Sequence, residues 1–100
     1  MSRFVVVAPL KVGARAVAQA LLAEGPPFDL EGTPLERHDV FVTDREVVFL
    51  FEGPEAREAV QKLAGDPGVW RAAARWREPL AGRPRIAEDV YSWTRTGPSG

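Results

Sequence analysis

The segment Val47-Val48-Phe49-Leu50-Phe51 sets five apolar side chains in unbroken succession. In an extended strand successive side chains point to opposite faces, so this strand has to be dry on both. Phe4-Val5-Val6-Val7-Ala8 and Val40-Phe41-Val42 repeat the pattern. A chain built from such strands must have its β-layer covered from two directions.

A chain of 100 residues, 45% apolar and 27% charged, supplies one domain with a thin core. Thirteen basic against fourteen acidic residues give a net charge of −1, which removes the footprint of a nucleic-acid or anionic-membrane binder. Cysteine is absent, which excludes a disulfide framework, a thiolate nucleophile and any Cys-ligated metal. No apolar run approaches the ~20 residues that span a bilayer. Phe4 to Leu10 is short and is followed at once by Lys11 and Arg15, unlike a secretory signal. The expectation is a cytoplasmic protein with neither nucleic acid nor membrane as partner.

Phe4 to Ala8 reads as the first strand. Lys11 to Glu24 are strong helix formers, with Val12, Ala16, Ala20 and Ala23 on one stripe and Val17 and Leu21 beside it. Gly25-Pro26-Pro27 stops that helix, and the proline-rich stretch to Pro34 reads as an ordered loop or lid. Leu35 to Thr43 and Glu46 to Glu52 form a hairpin around Asp44-Arg45. Its register sets Val42 against Val47, Val40 against Phe49 and His38 against Phe51 on one face. Phe41 against Val48, Asp39 against Leu50 and Arg37 against Glu52 take the other, the last an opposite-charge pair across the ladder.

Gly53-Pro54-Glu55 opens a second helix with Pro54 at its first position, burying Ala56, Ala59, Val60 and Leu63. Asp66 caps a third, whose Trp70, Ala73, Ala74 and Trp76 turn inward while Arg71, Arg75 and Arg77 form a solvated face. Ile86 to Thr94 alternates as a final strand. Residues 1–95 thus make a single domain, and Thr96 to Gly100 a flexible tail.

The order βαββαβ with right-handed crossovers gives an α+β fold of the ferredoxin-like type, a four-stranded antiparallel sheet with helices on one face. The opposite face would leave a bare apolar patch larger than soluble monomers carry. The simplest cover is a second copy of the same sheet about a two-fold axis, so a homodimer is expected.

Over roughly Arg3 to Arg95 the chain resembles the small single-domain members of the dimeric α+β barrel superfamily. The residues that carry the resemblance are Phe4 to Ala8, the strand-to-helix passage Val47 to Ala56, the tryptophan-bearing stretch Val69 to Trp76, and Val90-Tyr91-Ser92-Trp93. The resemblance implies sheet-to-sheet pairing and a cavity between sheet and helices where aromatic side chains hold flat molecules. The superfamily includes cofactor-independent quinone-forming monooxygenases, lactone isomerases, haem-degrading enzymes, stress-responsive proteins and members without an assigned role. It therefore speaks to fold more than to activity.

His38, the lone histidine, shares a face with Val40, Phe49 and Phe51 and is the candidate general base or proton relay. The plainer reading is a strand-end histidine bonded to backbone or water. Asp39 is the second candidate catalytic residue, because a carboxylate in a dry cavity can take a proton from substrate. Paired with arginine at a sheet edge it would do nothing of the kind. Tyr91 and Trp93, with Phe28 from the proline loop and Phe51, are the candidate ligand-binding aromatics, or else plain packing.

Phe49 and Phe51 match RNA-recognition strands poorly, since Val47 and Val48 stand where a basic residue and glycine belong. A structural zinc set, a phosphate-binding glycine loop and a nucleophile elbow are all missing, so neither metal nor cofactor is expected. The leading expectation is a homodimer that binds a small apolar or aromatic molecule in each subunit. A cofactor-independent monooxygenase or isomerase acting on a quinol- or lactone-like substrate is the enzymatic alternative. A non-catalytic structural or regulatory module is the third.

Overall fold

The computed structural model describes residues 2–95, so the tail expected over Thr96 to Gly100 lies outside the described residues. The chain runs β1 (Ser2–Pro9), α1 (Arg15–Ala23), β2 (Arg37–Val42), β3 (Glu46–Gly53), α2 (Ala56–Ala64), α3 (Pro67–Ala72), a 3-10 turn (Ala74–Arg77) and β4 (Arg85–Ala87). The strands form one antiparallel sheet in the order β2-β3-β1-β4, which is the ferredoxin-like arrangement.

The hairpin register is the one expected of a two-residue turn at Asp44-Arg45. Val42 faces Val47, Val40 faces Phe49 and His38 faces Phe51. Asp44-Arg45 lacks the glycine of a tight primed turn, and no non-glycine residue here has positive φ. Thr43 holds the turn instead. Its hydroxyl accepts from the backbone N–H of Arg45 at 3.1 Å and of Glu46 at 2.9 Å.

Each strand sorts its residues between two faces. Phe4, Val6 and Ala8 of β1 stand opposite Phe51, Phe49 and Val47 and pack under the helices. Val5 and Val7 stand opposite Leu50 and Val48 on the face that no helix covers, beside Phe41, which is 55% exposed. Arg37 and Glu52 are opposite one another as expected, but the ion pair forms along the strand, Arg37 to Asp39 at 2.5 Å. Side chains two apart on one strand share a face, so Asp39 competes directly with Glu52.

Three elements depart from the sequence reading. α1 begins at Arg15 rather than Lys11, because Gly13 at φ +76° turns the chain between them. The buried stripe is Ala18 and Leu21, while Val12 is fully exposed and Val17 is 38% exposed. At its far end Gly25, at φ +91°, donates its N–H to Leu22 O, as expected of a glycine stop. α2 begins at Ala56, two residues after Pro54, because a residue from another element caps it. The Ser2 hydroxyl accepts from Ala56 N–H at 3.2 Å and donates to Gly53 O at 2.9 Å.

β4 is the third departure. Only Arg85–Ala87 pairs with β1, Val6 opposite Ile86, and the residues from Glu88 to Arg95 are exposed. Pairing stops at Ala87 although Phe4, Arg3 and Ser2 of β1 continue past it, so Tyr91 and Trp93 lie outside the sheet. The cap of α3 is as read, Asp66 accepting from Gly68 N–H at 2.8 Å.

Candidate functional site

Between the helix-side face of the sheet and the helices lies a cleft of about 910 Å3. Its floor comes from the strands, with Val6, Val40, Phe49 and Phe51 contributing apolar side chains. Phe28 and the prolines before it wall one side, Val60 of α2 and Trp70 of α3 another. Two core clusters flank it. One joins Phe4, Phe51 and Ala56 with Phe28 packed against them, the other joins Leu10, Ala18 and Val47 with Trp76 and Leu80, and Phe49 touches both.

His38 is the polar group of the first end. Its ring stacks on Phe51 with centroids 4.5 Å apart and planes 16° from parallel, and Phe28 stands 6.1 Å away, tilted by 53°. Nδ1 lies 3.0 Å from Leu50 O. A carbonyl only accepts, so Nδ1 carries the hydrogen, and in the neutral ring Nε2 keeps the lone pair. No buried side-chain nitrogen or oxygen lacks a partner among the described residues, so Nε2 is open to the cleft or to water. A lone pair held in a fixed ring beside aromatic walls can accept a hydrogen bond or a proton from a bound molecule.

At the opposite end Trp76 meets Phe49 edge-on, centroids 6.0 Å apart. Leu80 is drawn in because the chain before β4 already runs beside β1. Lys11 N–H donates to Pro79 O and Ala81 N–H to Pro9 O, both at 2.8 Å. Loop closure on the hairpin side depends on Gly53, where a Cβ would come within 3.1 Å of Pro34 O.

The structure thus brings Phe28, His38 and Phe51 together in one cleft. The other three candidates stand elsewhere. Asp39 projects to the helix-free face, held by Arg37, because it is one residue out of step with His38. Tyr91 and Trp93 follow the end of β4 and are 79% and 63% exposed. Trp93 has Arg95 over its ring at 5.1 Å. The sequence reading turned Trp70 inward. Its indole N–H does reach Ala64 O, but 57% of the side chain is exposed at the cleft wall. Arg77, expected on a solvated face with Arg71 and Arg75, is exposed but also lines the cleft, as does Arg83, which the sequence did not single out.

Among the described residues no group of His, Asp and Glu is placed to hold a metal ion. No described helix is long and apolar enough to cross a membrane. No protein-family model matches the chain, and no curated protein matches it. Among solved structures it is similar to a protein of Chloroflexus aurantiacus J-10-fl that carries the name antibiotic biosynthesis monooxygenase. Identity is 18%, the TM-score is 0.49, and the match covers 93% of this chain and 98% of that one. The ferredoxin-like assignment stands on this chain's own strand order and register.

Proposed function

We propose that this chain binds a small, mostly apolar or aromatic molecule in the cleft between sheet and helices, as one subunit of a homodimer closed through the helix-free face. The observation that carries the reading is the cleft itself, about 910 Å3, with Phe28, Phe49 and Phe51 around it and an oriented imidazole at one end. Its size falls in the range of small-molecule sites, and a few polar groups in an apolar wall are what such sites use to orient a ligand. The dimer is supported by Val5, Val7, Phe41, Val48 and Leu50 sharing one face that no helix of this chain covers.

Cleft binding is tested by filling the cleft. Ala73 lines it at the C-cap of α3 and is half-buried. Ala73→Phe should weaken binding of N-phenyl-1-naphthylamine by at least about tenfold while leaving the urea midpoint within error. Unchanged binding in that variant would place the probe elsewhere.

The enzymatic reading is favoured by one feature, the lone pair on Nε2 of His38. In it, Nε2 takes a proton from an activated carbon or phenol of the bound molecule. Dioxygen is the co-substrate. One oxygen atom enters the product as a carbonyl, the other leaves as water, and the substrate supplies all four electrons. Asp39 has no part in this, since it lies on the other face.

A further inference from the structure

Two cationic side chains, Arg77 and Arg83, line the cleft, and neither an aspartate nor a glutamate does. The chain is not short of acids, having fourteen. Four arginines elsewhere are paired, Arg3 with Asp89, Arg15 with Asp44, Arg37 with Asp39 and Arg75 with Glu24, while Arg45, Arg57, Arg71, Arg85 and Arg95 are in no ion pair among the described residues; what sets Arg77 and Arg83 apart is the acid-free cleft they line. Arg77 and Arg83 have no such counter-charge among the described residues.

Backbone anchors put both at one end. Arg77 closes the 3-10 turn, directly after the Trp76 that stands on Phe49. Arg83 sits in a short span pinned at both sides, by Ala81 N–H to Pro9 O and by Arg85 opposite Val7. That is the level of Ala8 and Val47 in the sheet, whereas His38 is at the level of Phe51, opposite Phe4. Four residues of strand separate the level of Arg83 from that of His38, about 13 Å at ~3.3 Å per residue, while Arg77 follows Trp76, which stands on Phe49, two residues along β3 from Phe51. The cleft therefore has an apolar middle, a hydrogen-bonding imidazole at one pole and two guanidinium groups toward the other.

Resting on the reading that the cleft is a ligand site, the geometry points to an amphipathic anion as its occupant. A flat apolar body lies over Phe49 and Phe51, and its carboxylate or sulfonate faces Arg77 and Arg83. Guanidinium groups bind such oxyanions through paired N–H donors.

Two probes separate the charge from the cavity. N-phenyl-1-naphthylamine and 8-anilinonaphthalene-1-sulfonate share one aromatic skeleton and differ by a sulfonate, and both fluoresce in apolar surroundings. The sulfonate should bind about tenfold more tightly in low salt, and the advantage should shrink as salt screens the exposed arginines. Arg77→Gln/Arg83→Gln should abolish that advantage and leave the neutral probe's Kd unchanged, while Arg77→Lys/Arg83→Lys should keep it. Equal affinities in the wild type, an advantage that survives the glutamine pair, or one lost in the lysine pair would overturn the anion assignment and leave the cleft reading standing. Failure of the neutral probe to bind would remove the cleft reading and this inference with it.

Discussion

His38 and Phe51 face one another across the β2–β3 ladder, and their rings stack at 4.5 Å. The imidazole is held from two directions, by that ring and by the carbonyl of Leu50. A side chain so fixed presents Nε2 in one direction without the entropy cost of ordering it on ligand binding.

His38→Phe keeps the stack and removes the nitrogen. Unfolding free energy should change by no more than about 1 kcal/mol, the worth of one hydrogen bond. Binding of N-phenyl-1-naphthylamine should persist, and any dioxygen-dependent oxidation of 1,4-dihydroxynaphthalene by the wild type should vanish. Turnover surviving in the variant would exclude Nε2 as the base.

Ser2 ties β1 to the start of α2 with one hydroxyl, through Gly53 O and Ala56 N–H. Ser2→Ala should lower stability by about 1 kcal/mol, read as a lower urea midpoint at unchanged slope, and Ser2→Thr should recover most of it. A midpoint unmoved by the alanine would show that α2 needs no cap from β1.

How much of this was legible depended on local contrast. The β2–β3 register could be read because Asp44-Arg45 marks a two-residue turn and Arg37 and Glu52 then fall opposite one another as unlike charges. In α1 the stripe was misplaced because alanines recur around the helix and mark no face, and Gly13 outweighed the helix formers next to it. Ile86 to Thr94 alternates like a strand, but alternation does not say how far a strand stays paired, and only Arg85 to Ala87 lies on β1. The cleft residues Phe28, His38 and Phe51 followed from the strand register and the loop position. Arg77 and Arg83 depend on how the chain returns to β1 after Trp76, a tertiary contact no local pattern encodes.

The hairpin turn rests on Thr43 rather than on its two central residues. Thr43→Val removes the hydroxyl at nearly constant shape and should cost about 1–2 kcal/mol in thermal or urea unfolding. Asp44→Ala removes only a surface partner of Arg15, its side chain 85% exposed, and should cost less than about 0.5 kcal/mol. Reversed magnitudes would move the turn's anchor to Asp44.

Neighbouring residues on β3 report on opposite faces. Phe49 packs with both core clusters, so Phe49→Asp should cost on the order of 3 kcal/mol or more and prevent folding. Val48 points to the helix-free face, so Val48→Asp should leave far-UV circular dichroism unchanged and shift the protein to monomer. Full tolerance of aspartate at either position would show that one face has no need of cover.

Multi-angle light scattering of the wild-type chain at micromolar concentration tests most directly whether the sheet is sheltered on both sides. A particle of about 22 kDa is expected, twice the 11.0 kDa of one chain, falling to a single chain in Val48→Asp. A monodisperse, folded 11.0 kDa wild type would contradict it, since Val5, Val7, Phe41, Val48 and Leu50 would then face water with nothing over them.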